Sequence, residues 1–449
     1  MDKKIIGILI TSIIVIASFS GCQEETKKEP AEKTNTELAM DFLYEIKSGD
    51  LNEAYTYFSS IMTSQFSMNQ FRNTWKTITD TYGDFETIED SEETVIDGLD
   101  VVFVNCTFSN DYYIIFKLVF DELKEISGFW TEKIEPISSY SAPDYADVNS
   151  FTEKEITIGE EPWKLPGTIS IPNGEGPFAS VILVHGSGPS DRDESVGVNK
   201  PFKDIAWGLA TKNIIVLRYD KRTKVYPEET AVLTNFTLEE EIIEDVYAAI
   251  DYLKTEDNVN QSQIFVLGHS LGAMAAPQIA VNNQDISGII MLGAAARGLE
   301  DLIYNQTVYL SELDGVIDET EQATIDLINE SIEKIKTLNI SEGELVLGVY
   351  KSYWEYLNNY LPVRTAEALT IPMMIVQGLR DYQVSYEYDY QVWNETFFDN
   401  SDVFLKTYES LNHLFIAGSG TPTNTEYLDE GHVAEEVIVD ISNFIAGET

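Results

Sequence analysis

The feature that most constrains this chain is the pentapeptide Gly268-His269-Ser270-Leu271-Gly272, together with the residues on either side of it. The apolar run Ile264 to Leu267 precedes it, and the alanine-rich segment Leu271 to Ala280 follows it. A Gly-x-Ser-x-Gly motif between a strand and a helix is typical of a sharp turn that holds the serine in a strained conformation above a sheet. The sequence therefore predicts that Ser270 is a nucleophile. The alternative is that this serine only caps the helix.

Strand-like and helical segments alternate around this turn, which indicates an α/β domain with a mostly parallel sheet. Continuous apolar runs are typical of parallel strands that helices cover on both faces. The predicted strands are Val181–Val184, Ile214–Leu217, Ile264–Leu267, Ile289–Leu292, Met373–Val376 and Val403–Leu405. A hairpin over Ile156–Ile158 and Gly167–Ile171 is expected near the start of this domain, which we place at residues 151–449.

One long stretch, residues 299–368, breaks the alternation of strands and helices. Helical periodicity dominates it, over Ile317 to Leu338 and again over Leu345 to Leu357, and it carries no strand pattern. Loops and insertions at the edge of such a sheet commonly carry function. We therefore predict a helical cap over the active site.

A serine hydroxyl needs a base to remove its proton, and the chain has 4 histidines. After a Gly-x-Ser-x-Gly turn in an α/β hydrolase, the acid comes next along the chain and the histidine last. His413 lies just after the predicted strand Val403–Leu405, whereas His432 stands at the start of the final helix, where a capping or surface role is the alternative. Asp381 follows the strand Met373–Val376. The predicted catalytic residues are therefore Ser270, Asp381 and His413.

Backbone N–H groups are expected to form an oxyanion hole beside this serine. One donor is the residue after the nucleophile, Leu271. The second is expected from the loop His185-Gly186-Ser187-Gly188-Pro189, whose small residues allow the backbone to approach a tetrahedral intermediate closely. Ser187 is the candidate in that loop.

Several segments together resemble a subgroup of carboxylesterases with the α/β-hydrolase fold. They are His185-Gly186-Ser187-Gly188-Pro189, Asp191-Arg192-Asp193, Asn199-Lys200-Pro201-Phe202-Lys203-Asp204 and Leu217-Arg218-Tyr219-Asp220-Lys221-Arg222, with Trp354 and Tyr360 further on. The resemblance covers about residues 150 to 449 and, more loosely, the region before them. It implies a small N-terminal domain, a helical cap and cleavage of short- to medium-chain carboxylic esters. It also assigns Ser270, Asp381 and His413 to the triad.

A charged cluster belongs to these segments, and it has two interpretations. The first is an ion-pair network that holds the oxyanion loop, and the second is substrate recognition by Arg192. The residues concerned are Asp191, Arg192, Lys203, Asp220, Lys221 and Arg222.

The first 22 residues resemble a signal peptide. Two lysines near Met1 precede the uncharged apolar run Ile5–Ser20, which is shorter than the roughly 20 residues that span a bilayer. The run leads into Phe19-Ser20-Gly21-Cys22, which resembles a lipobox with phenylalanine in place of the usual Leu or Val. Lipidation of Cys22 is the prediction and an uncleaved membrane anchor the alternative. Either outcome predicts an extracytoplasmic protein tethered to a membrane, and a secreted form is also compatible with a signal peptide.

Two polar linkers and a small domain precede the hydrolase region. Residues 23–35 are charged and lack bulky apolar residues, as flexible tethers do, and residues 138–150 are predicted to be a second linker. Between them, residues 36–137 predict a small α+β domain with a hairpin over Val101–Phe108 and Tyr112–Phe120. Cys106 lies on that hairpin and is expected to be a buried, inert thiol.

Composition excludes some functions and leaves others open. The formal net charge of −47 disfavours binding to nucleic acid. With 2 cysteines and no His-Glu-x-x-His spacing, we expect no disulfide framework and no metal site, and no cofactor fingerprint is present. The expected function is hydrolysis of a small-molecule ester. A peptidase or thioesterase using the same triad, and a surface-anchored binding protein with a vestigial site, remain alternatives. The sequence does not indicate an oligomeric state.

Overall fold

The computed structural model describes residues 33–96, 98–110, 112–136 and 140–448. The chain divides into two compact units, with the boundary between residues 139 and 140. The predicted signal peptide, Cys22 and nearly all of the first linker lie outside the described residues. None of the helices that the structure describes combines the length and the apolar character needed to cross a bilayer.

The first unit consists of four helices followed by a four-stranded antiparallel sheet in the order β1-β2-β3-β4. Its elements are α1 (Asn35–Ser48), α2 (Leu51–Tyr55), α3 (Ser60–Gln65), α4 (Met68–Tyr82), β1 (Phe85–Ile96), β2 (Leu99–Phe108), β3 (Tyr112–Phe120) and β4 (Ile126–Pro136). The helix starts follow from local chemistry, because Thr34 and Ser67 form capping boxes with Glu37 and Gln70. The predicted hairpin is present as β2 and β3.

Strand β1 was not expected from the sequence, and its composition explains why. Its burial pattern repeats every third residue instead of alternating, and it is rich in Glu and Asp. It lies at the edge of the sheet, where charged side chains discourage pairing with another chain. A strand of this kind does not give the alternating pattern that sequence reasoning depends on.

The second unit contains an eight-stranded sheet in the order β12-β11-β10-β9-β7-β8-β6-β5. Strands β7 to β12 are parallel to one another. Strands β5 and β6 form an antiparallel hairpin, and β6 pairs antiparallel with β8. The strands are β5 (Phe151–Ile158), β6 (Leu165–Pro172), β7 (Phe178–Val184), β8 (Ile215–Tyr219), β9 (Val259–His269), β10 (Ile286–Leu292), β11 (Met373–Gly378) and β12 (Val403–Tyr408). This is the predicted α/β-hydrolase fold, with a mostly parallel central sheet.

Helices cover both faces of this sheet and create two hydrophobic layers. On one face, apolar residues of α5 and α15 pack together, with Phe202, Leu209 and Ile441 buried. The layer on the other face includes buried residues of α8, α9 and α14, among them Val246, Ile279 and Trp393. The elements are α5 (Pro201–Thr211), α6 (Arg222–Val225), α7 (Pro227–Ala231), α8 (Glu244–Leu253), α9 (Leu271–Val281), α10 (Leu299–Ser311), α11 (Glu319–Thr337), α12 (Lys351–Asn359), α13 (Pro362–Ala366), α14 (Gln391–Phe397) and α15 (Glu435–Ala446).

Helices α10 to α13 form the stretch between β10 and β11 for which the sequence predicts a cap. The structure differs from the expectation at residues 345–350, which lie outside a helix. Leu347 and Gly348 both have positive φ angles, and a bridge joins Val346 to Val349, so the backbone turns tightly there. Helix α12 begins only after this turn, at Lys351.

The described part of the predicted linker, residues 140–150, lies within the second unit. The second unit begins at Tyr140, and two tyrosines of this segment pack onto it. The Tyr140 hydroxyl donates to the buried Asp204 carboxylate at 2.5 Å, and the Tyr145 hydroxyl donates to the Val433 carbonyl at 2.7 Å. The hydroxyl groups made the segment resemble a tether, but the rings supply apolar surface that becomes buried.

Candidate active site

Ser270 lies at the sharp turn between β9 and α9. Its φ of 53° and ψ of −115° place a non-glycine residue in a sparsely populated conformation. The backbone around it compensates for this strain, because the Ser270 N–H donates to the Leu292 carbonyl and its own carbonyl accepts from Met274, both at 2.9 Å. Strain of this kind is found where the surrounding structure fixes a functional residue. Ser270 is partly exposed, whereas the residues that flank it, 264–269 and 271–277, are buried.

The two glycines of the motif are required by close packing of the backbone. A Cβ on Gly268 would overlap the carbonyl group of Gly272, and a Cβ on Gly272 would overlap the Val184 carbonyl oxygen. Both contacts are with backbone atoms, which cannot move aside cheaply. The motif therefore sets how closely α9 approaches the ends of β9 and β7.

Asp381 and His413 form a buried pair on the loops that follow β11 and β12. The His413 Nδ1 lies 2.7 Å from the Asp381 Oδ2, and both residues are more than nine-tenths buried. The other carboxylate oxygen of Asp381 accepts from the N–H groups of Gln383 and Val384. Asp381 is thus oriented by its own loop, and it in turn orients the imidazole of His413.

The segment Leu292–Gly293 brings this pair and Ser270 to the same place. Leu292 accepts the hydrogen bond from the Ser270 N–H, and the next residue, Gly293, borders both members of the pair. A Cβ built on Gly293 would lie 3.4 Å from the Asp381 Oδ2 and 3.4 Å from the His413 Nδ1. The three residues of the predicted triad therefore converge at the carboxyl ends of β9, β11 and β12.

His432, the alternative base, occupies a different environment. Its Nδ1 lies 3.0 Å from Asp204, a buried carboxylate in α5, and its ring contacts the ring of Tyr140. Asp204 also accepts from the Val433 N–H. These contacts join α5 to the segment before α15, which corresponds to the structural role that the sequence left open for His432.

The loop after β7 approaches Ser270 closely at Gly186. A Cβ on Gly186 would lie 3.1 Å from the Ser270 Cβ. The Gly186 N–H donates to the Glu194 Oε1 at 2.6 Å, and the Gly186 carbonyl accepts from the Lys221 ammonium at 2.8 Å. The Ser187 N–H has no hydrogen-bonding partner among the described residues. Leu271 is the first residue of α9, where helical N–H groups lack partners within the helix.

The charged cluster around this loop forms ion pairs within the protein. Arg192 contacts Asp220 through two nitrogens and also pairs with Glu155, while Arg222 pairs with Asp245. Lys221, which is almost fully buried, pairs with Glu241 at 2.5 Å. The Lys221 contact with the Gly186 carbonyl supports the first interpretation of the cluster, a network that holds the oxyanion loop. Arg192 has its nitrogens committed to carboxylates and to Thr168.

Sequence reasoning missed several residues of the site. Gln377, at the end of β11, donates to the Asp381 Oδ2 at 2.9 Å. Asn412 accepts from the N–H groups of Leu414 and Ile416 and so fixes the turn that carries His413. Glu194 contacts both Gly186 and His269. Asn412 could have been suspected from the sequence, because it directly precedes His413. Gln377 inside an apolar strand and Glu194 in a charged loop give no indication in the sequence that they belong to the site.

The remaining predictions concern the two cysteines and the expected lack of a metal site. Cys22 lies outside the described residues. Cys106 is fully buried, and burial raises the pKa of its thiol. Within the described ranges, no group of three or more His, Cys, Asp or Glu side chains is arranged to hold a metal ion.

Comparison with known proteins matches two regions of the chain to protein families. Residues 175–417 match the family described as serine aminopeptidase, S33, and residues 39–129 match a family described as a protein of unknown function, DUF3887. The chain is 38% identical over 405 residues to Esterase EstD of Thermotoga maritima, covering 90% of this chain and 93% of the relative.

Two solved structures illustrate the more distant likenesses. Est1E from Butyrivibrio proteoclasticus is 18% identical, with a TM-score of 0.43 over 65% of this chain and 99% of that one. An esterase from Pyrococcus furiosus is also 18% identical, with a TM-score of 0.43 over 70% of this chain and 96% of that one.

Proposed function

This chain belongs to the α/β-hydrolase carboxylesterases, and we propose that it cleaves small carboxylic esters through Ser270, His413 and Asp381 by way of an acyl-enzyme. The observation that supports the proposal most strongly is the buried 2.7 Å contact between Asp381 and His413. Both residues border the segment that accepts the Ser270 N–H. Fold alone does not decide function, so the assignment of roles depends on this local geometry.

In the first half of the reaction, Ser270 attacks the ester carbonyl carbon. His413 removes the serine proton as the bond forms, and the ring nitrogen that faces Asp381 keeps its own proton. Asp381 orients the imidazole and stabilises the imidazolium that forms. The strained turn at Ser270 is of the kind that exposes a serine hydroxyl above the sheet, so little rearrangement is required before attack.

The negative charge that develops on the carbonyl oxygen is stabilised by two backbone N–H groups. We assign them to Leu271, at the start of α9, and to Ser187. The Gly186 N–H is already committed to Glu194, which leaves Ser187 as the next donor in that loop. The N-terminus of α9 adds favourable partial positive charge near the same position.

The first half ends when the ester C–O bond breaks and His413 donates its proton to the departing alcohol. In the second half, His413 removes a proton from a water molecule. The water attacks the acyl-enzyme, the bond to the Ser270 oxygen breaks, and the proton returns to Ser270. The products are a carboxylic acid and an alcohol. We propose short- to medium-chain acyl groups as substrates, on the resemblance of the loop sequences to carboxylesterases of that kind.

Hydrolysis of p-nitrophenyl esters from acetate to palmitate, with Ser270→Ala as the comparison, tests this proposal. The purified form lacking residues 1–22 is expected to cleave the shorter esters and the variant to lose this activity. Because the matching family is described as a serine aminopeptidase, aminoacyl amides and thioesters belong in the same series. Amide cleavage faster than ester cleavage would favour the peptidase alternative. Ester cleavage retained in Ser270→Ala would overturn the assignment of the nucleophile.

We also propose that the mature protein is anchored outside the cytoplasm through a lipid on Cys22. The support is the charged start, the apolar run and the small residues before the cysteine. The full-length chain is expected in the membrane fraction, and Cys22→Ser is expected to prevent lipidation. Equal incorporation of labelled fatty acid into both forms would contradict lipidation at Cys22.

A further inference from the structure

A second buried pair of acid and histidine lies beside the proposed triad, and the mechanism above does not use it. Glu194 and His269 are both more than nine-tenths buried. The Glu194 Oε2 and the His269 Nδ1 lie 3.0 Å apart, at ion-pair distance, and neither atom has a hydrogen-bonding partner in the part of the chain that the structure describes. Glu194 has a φ of 50°, so its backbone is held in a conformation that a non-glycine residue rarely adopts.

This pair connects the three segments that carry the reaction. The Glu194 Oε1 accepts from the Gly186 N–H at 2.6 Å, which fixes the loop that supplies Ser187. The His269 Nε2 lies 2.9 Å from the backbone carbonyl oxygen of His413. His269 directly precedes Ser270, so one short chain of polar contacts joins the oxyanion loop, the nucleophile turn and the turn of the base.

The contacts of His269 determine how many protons its ring carries. Its Nδ1 faces a carboxylate oxygen and its Nε2 faces a carbonyl oxygen, and both of these groups are acceptors. A neutral imidazole has one N–H, so it would turn a nitrogen lone pair toward one of these acceptors, whereas an imidazolium presents an N–H to both. A buried lone pair that faces a carboxylate or carbonyl oxygen is unfavourable, so the contacts favour the doubly protonated ring.

We propose that Glu194 and His269 are positioning residues, and that they form an ion pair, with His269 as the imidazolium, that holds the oxyanion loop and His413 in place around Ser270. The inference rests on the proposed function, because the segments it positions are those of Ser187, Ser270 and His413. The pair touches no reacting atom. It acts through the backbone of Gly186 and of His413.

The charges that face this pair agree with the proposal. Burial alone would lower the pKa of His269, but the Glu194 carboxylate, with Asp381 adding to its effect, raises that pKa above its ordinary value. Burial alone would raise the pKa of Glu194, but His269 outweighs it and holds the pKa below its ordinary value. The other groups that face the pair are His413, whose ring centroid lies 4.6 Å from that of His269, and His185, which lies near Glu194. Lys221 contacts the far side of Gly186.

Nitrogen-15 NMR of the histidine rings in the full hydrolase chain tests the protonation state directly. With 4 histidines, His269 can be assigned by the loss of one signal in His269→Gln. We expect both ring nitrogens of His269 to stay protonated as the pH rises through the ordinary histidine pKa of about 6.5. Loss of one proton near that pH would overturn the proposal. The titration is measured on the unaltered protein, and if His269→Gln does not fold, the signals lost in His185→Gln, His413→Gln and His432→Gln assign His269 by elimination.

Two substitutions of Glu194 separate its charge from its hydrogen bonds. In Glu194→Gln the amide oxygen can still accept from Gly186 and its NH₂ can donate to a neutral His269, whose Nε2–H still reaches His413. Glu194→Ala removes both contacts. We expect Glu194→Gln to lower the pKa of His269, so that its ring is neutral at pH 7, with a small loss of kcat. Glu194→Ala should lose about 10²-fold in kcat, with KM changed less than threefold, because misplacement of catalytic groups by about 1 Å costs that much.

His432→Gln serves as the matched control, because it removes another histidine paired with a buried acid in the same unit. Its kcat is expected to stay within about twofold of the original protein, by analogy with substitutions away from functional features. Full kcat in Glu194→Ala would contradict the proposal. Failure of the proposed function is distinguishable, because it would appear as activity retained in Ser270→Ala, whatever the state of His269.

Discussion

The two units of this protein fill their interiors with different chemistry. In the first unit the core is largely aromatic, with Phe71 in ring contact with Phe42, Phe58 and Phe129, and its buried polar residues are the uncharged Asn35, Ser59 and Thr107 among those described. The second unit buries many charged groups in addition to its apolar layers. They include Glu194, Asp204, Arg218, Lys221, Arg222, Glu241, Asp245, Asp381 and Asp389.

Burial stabilises the first unit, whereas the buried charges of the second unit hold functional groups in position. Burying a charge carries a large desolvation cost that pairing offsets only partly, so a buried ion pair is weak support for a stability role. In the second unit, Glu194, Lys221 and Asp381 lie in loops that follow β7, β8 and β11, and their contacts converge on Gly186 and His413. The first unit has no such convergence among its described residues. We therefore expect substitutions in the interior of the first unit to lower stability, and substitutions of these charged residues in the second unit to lower kcat.

The largest expected effect is on catalysis, from removal of the base. His413→Gln should lower kcat by about 10⁴-fold or more, because it removes the base that we assign to take the Ser270 proton. Steady-state hydrolysis of p-nitrophenyl acetate measures it. His432→Gln is the matched control, and its activity should be close to that of the original protein. Comparable losses in both variants would mean that the histidines act through stability, and the proposed contrast between them would fail.

The next effect is on stability and belongs to the aromatic core of the first unit. Phe71→Ala should destabilise that unit by about 3–5 kcal/mol, because it removes a buried ring from a packed cluster. Hydrogen exchange of peptides from residues 33–136 measures the effect separately from the second unit. Tyr44→Ala, at a side chain that is 53% exposed, should change stability by less than about 0.5 kcal/mol. An equal loss of protection in both variants would show that the ring cluster is not what stabilises this unit.

A third effect depends on pH and on a buried histidine of the second unit. Burial lowers the pKa of His185 to about 4, so the folded protein keeps this ring neutral while the unfolded chain protonates it at its usual pKa of 6.5. The resulting stability is fully present above about pH 6.5 and is lost as the pH falls toward 4, by about 3 kcal/mol.

Chemical denaturation of the second unit between pH 4 and pH 7 measures this loss. His185→Gln removes the titrating group, so the free energy of unfolding of this variant should fall by about 3 kcal/mol less than that of the original protein over the same pH range. If both proteins lost stability in parallel as the pH fell, His185 would not be the group responsible.

The smallest effect tests whether a buried charge serves position. Lys221→Met combined with Glu241→Gln removes an ion pair but keeps an acceptor for the Tyr353 hydroxyl. The free energy of unfolding should change by about 1 kcal/mol or less. Because the Gly186 carbonyl loses its donor, kcat should fall about tenfold.

Lys254→Met is the control for this double variant, because Lys254 forms an exposed pair with Asp285. It should change neither the free energy of unfolding nor kcat. A large loss of stability in the double variant with unchanged kcat would reverse the roles that we assign to buried charge in the second unit.

The sequence was most informative where local geometry and chemistry coincide. Gly268 and Gly272 flank a serine between a strand and a helix, and the structure shows the strained turn that this pattern predicts. The parallel strands were predictable because their apolar runs are continuous, and the family and the fold agree with that prediction. His413 and Asp381 follow from the order of strands and the small number of histidines, and the structure places them in contact.

The sequence was uninformative where the contacts join distant residues. Glu194 and His269 are 75 positions apart, and nothing near either residue indicates that they meet. Strand β1 carries charges in a pattern without alternation, and Tyr140 and Tyr145 lie in a polar segment that becomes part of the second unit. In each case tertiary packing decides the structure, and local propensity does not contain that information.

Labelling with a fluorophosphonate tests whether Ser270 is the nucleophile. The intact protein should gain one adduct, and peptide mapping by mass spectrometry should place that adduct on Ser270. Labelling should be absent in Ser270→Ala and much slower in His413→Gln, because the hydroxyl is a weak nucleophile without its base. An adduct on a different serine, or ester hydrolysis by a protein that the probe does not label, would contradict the account.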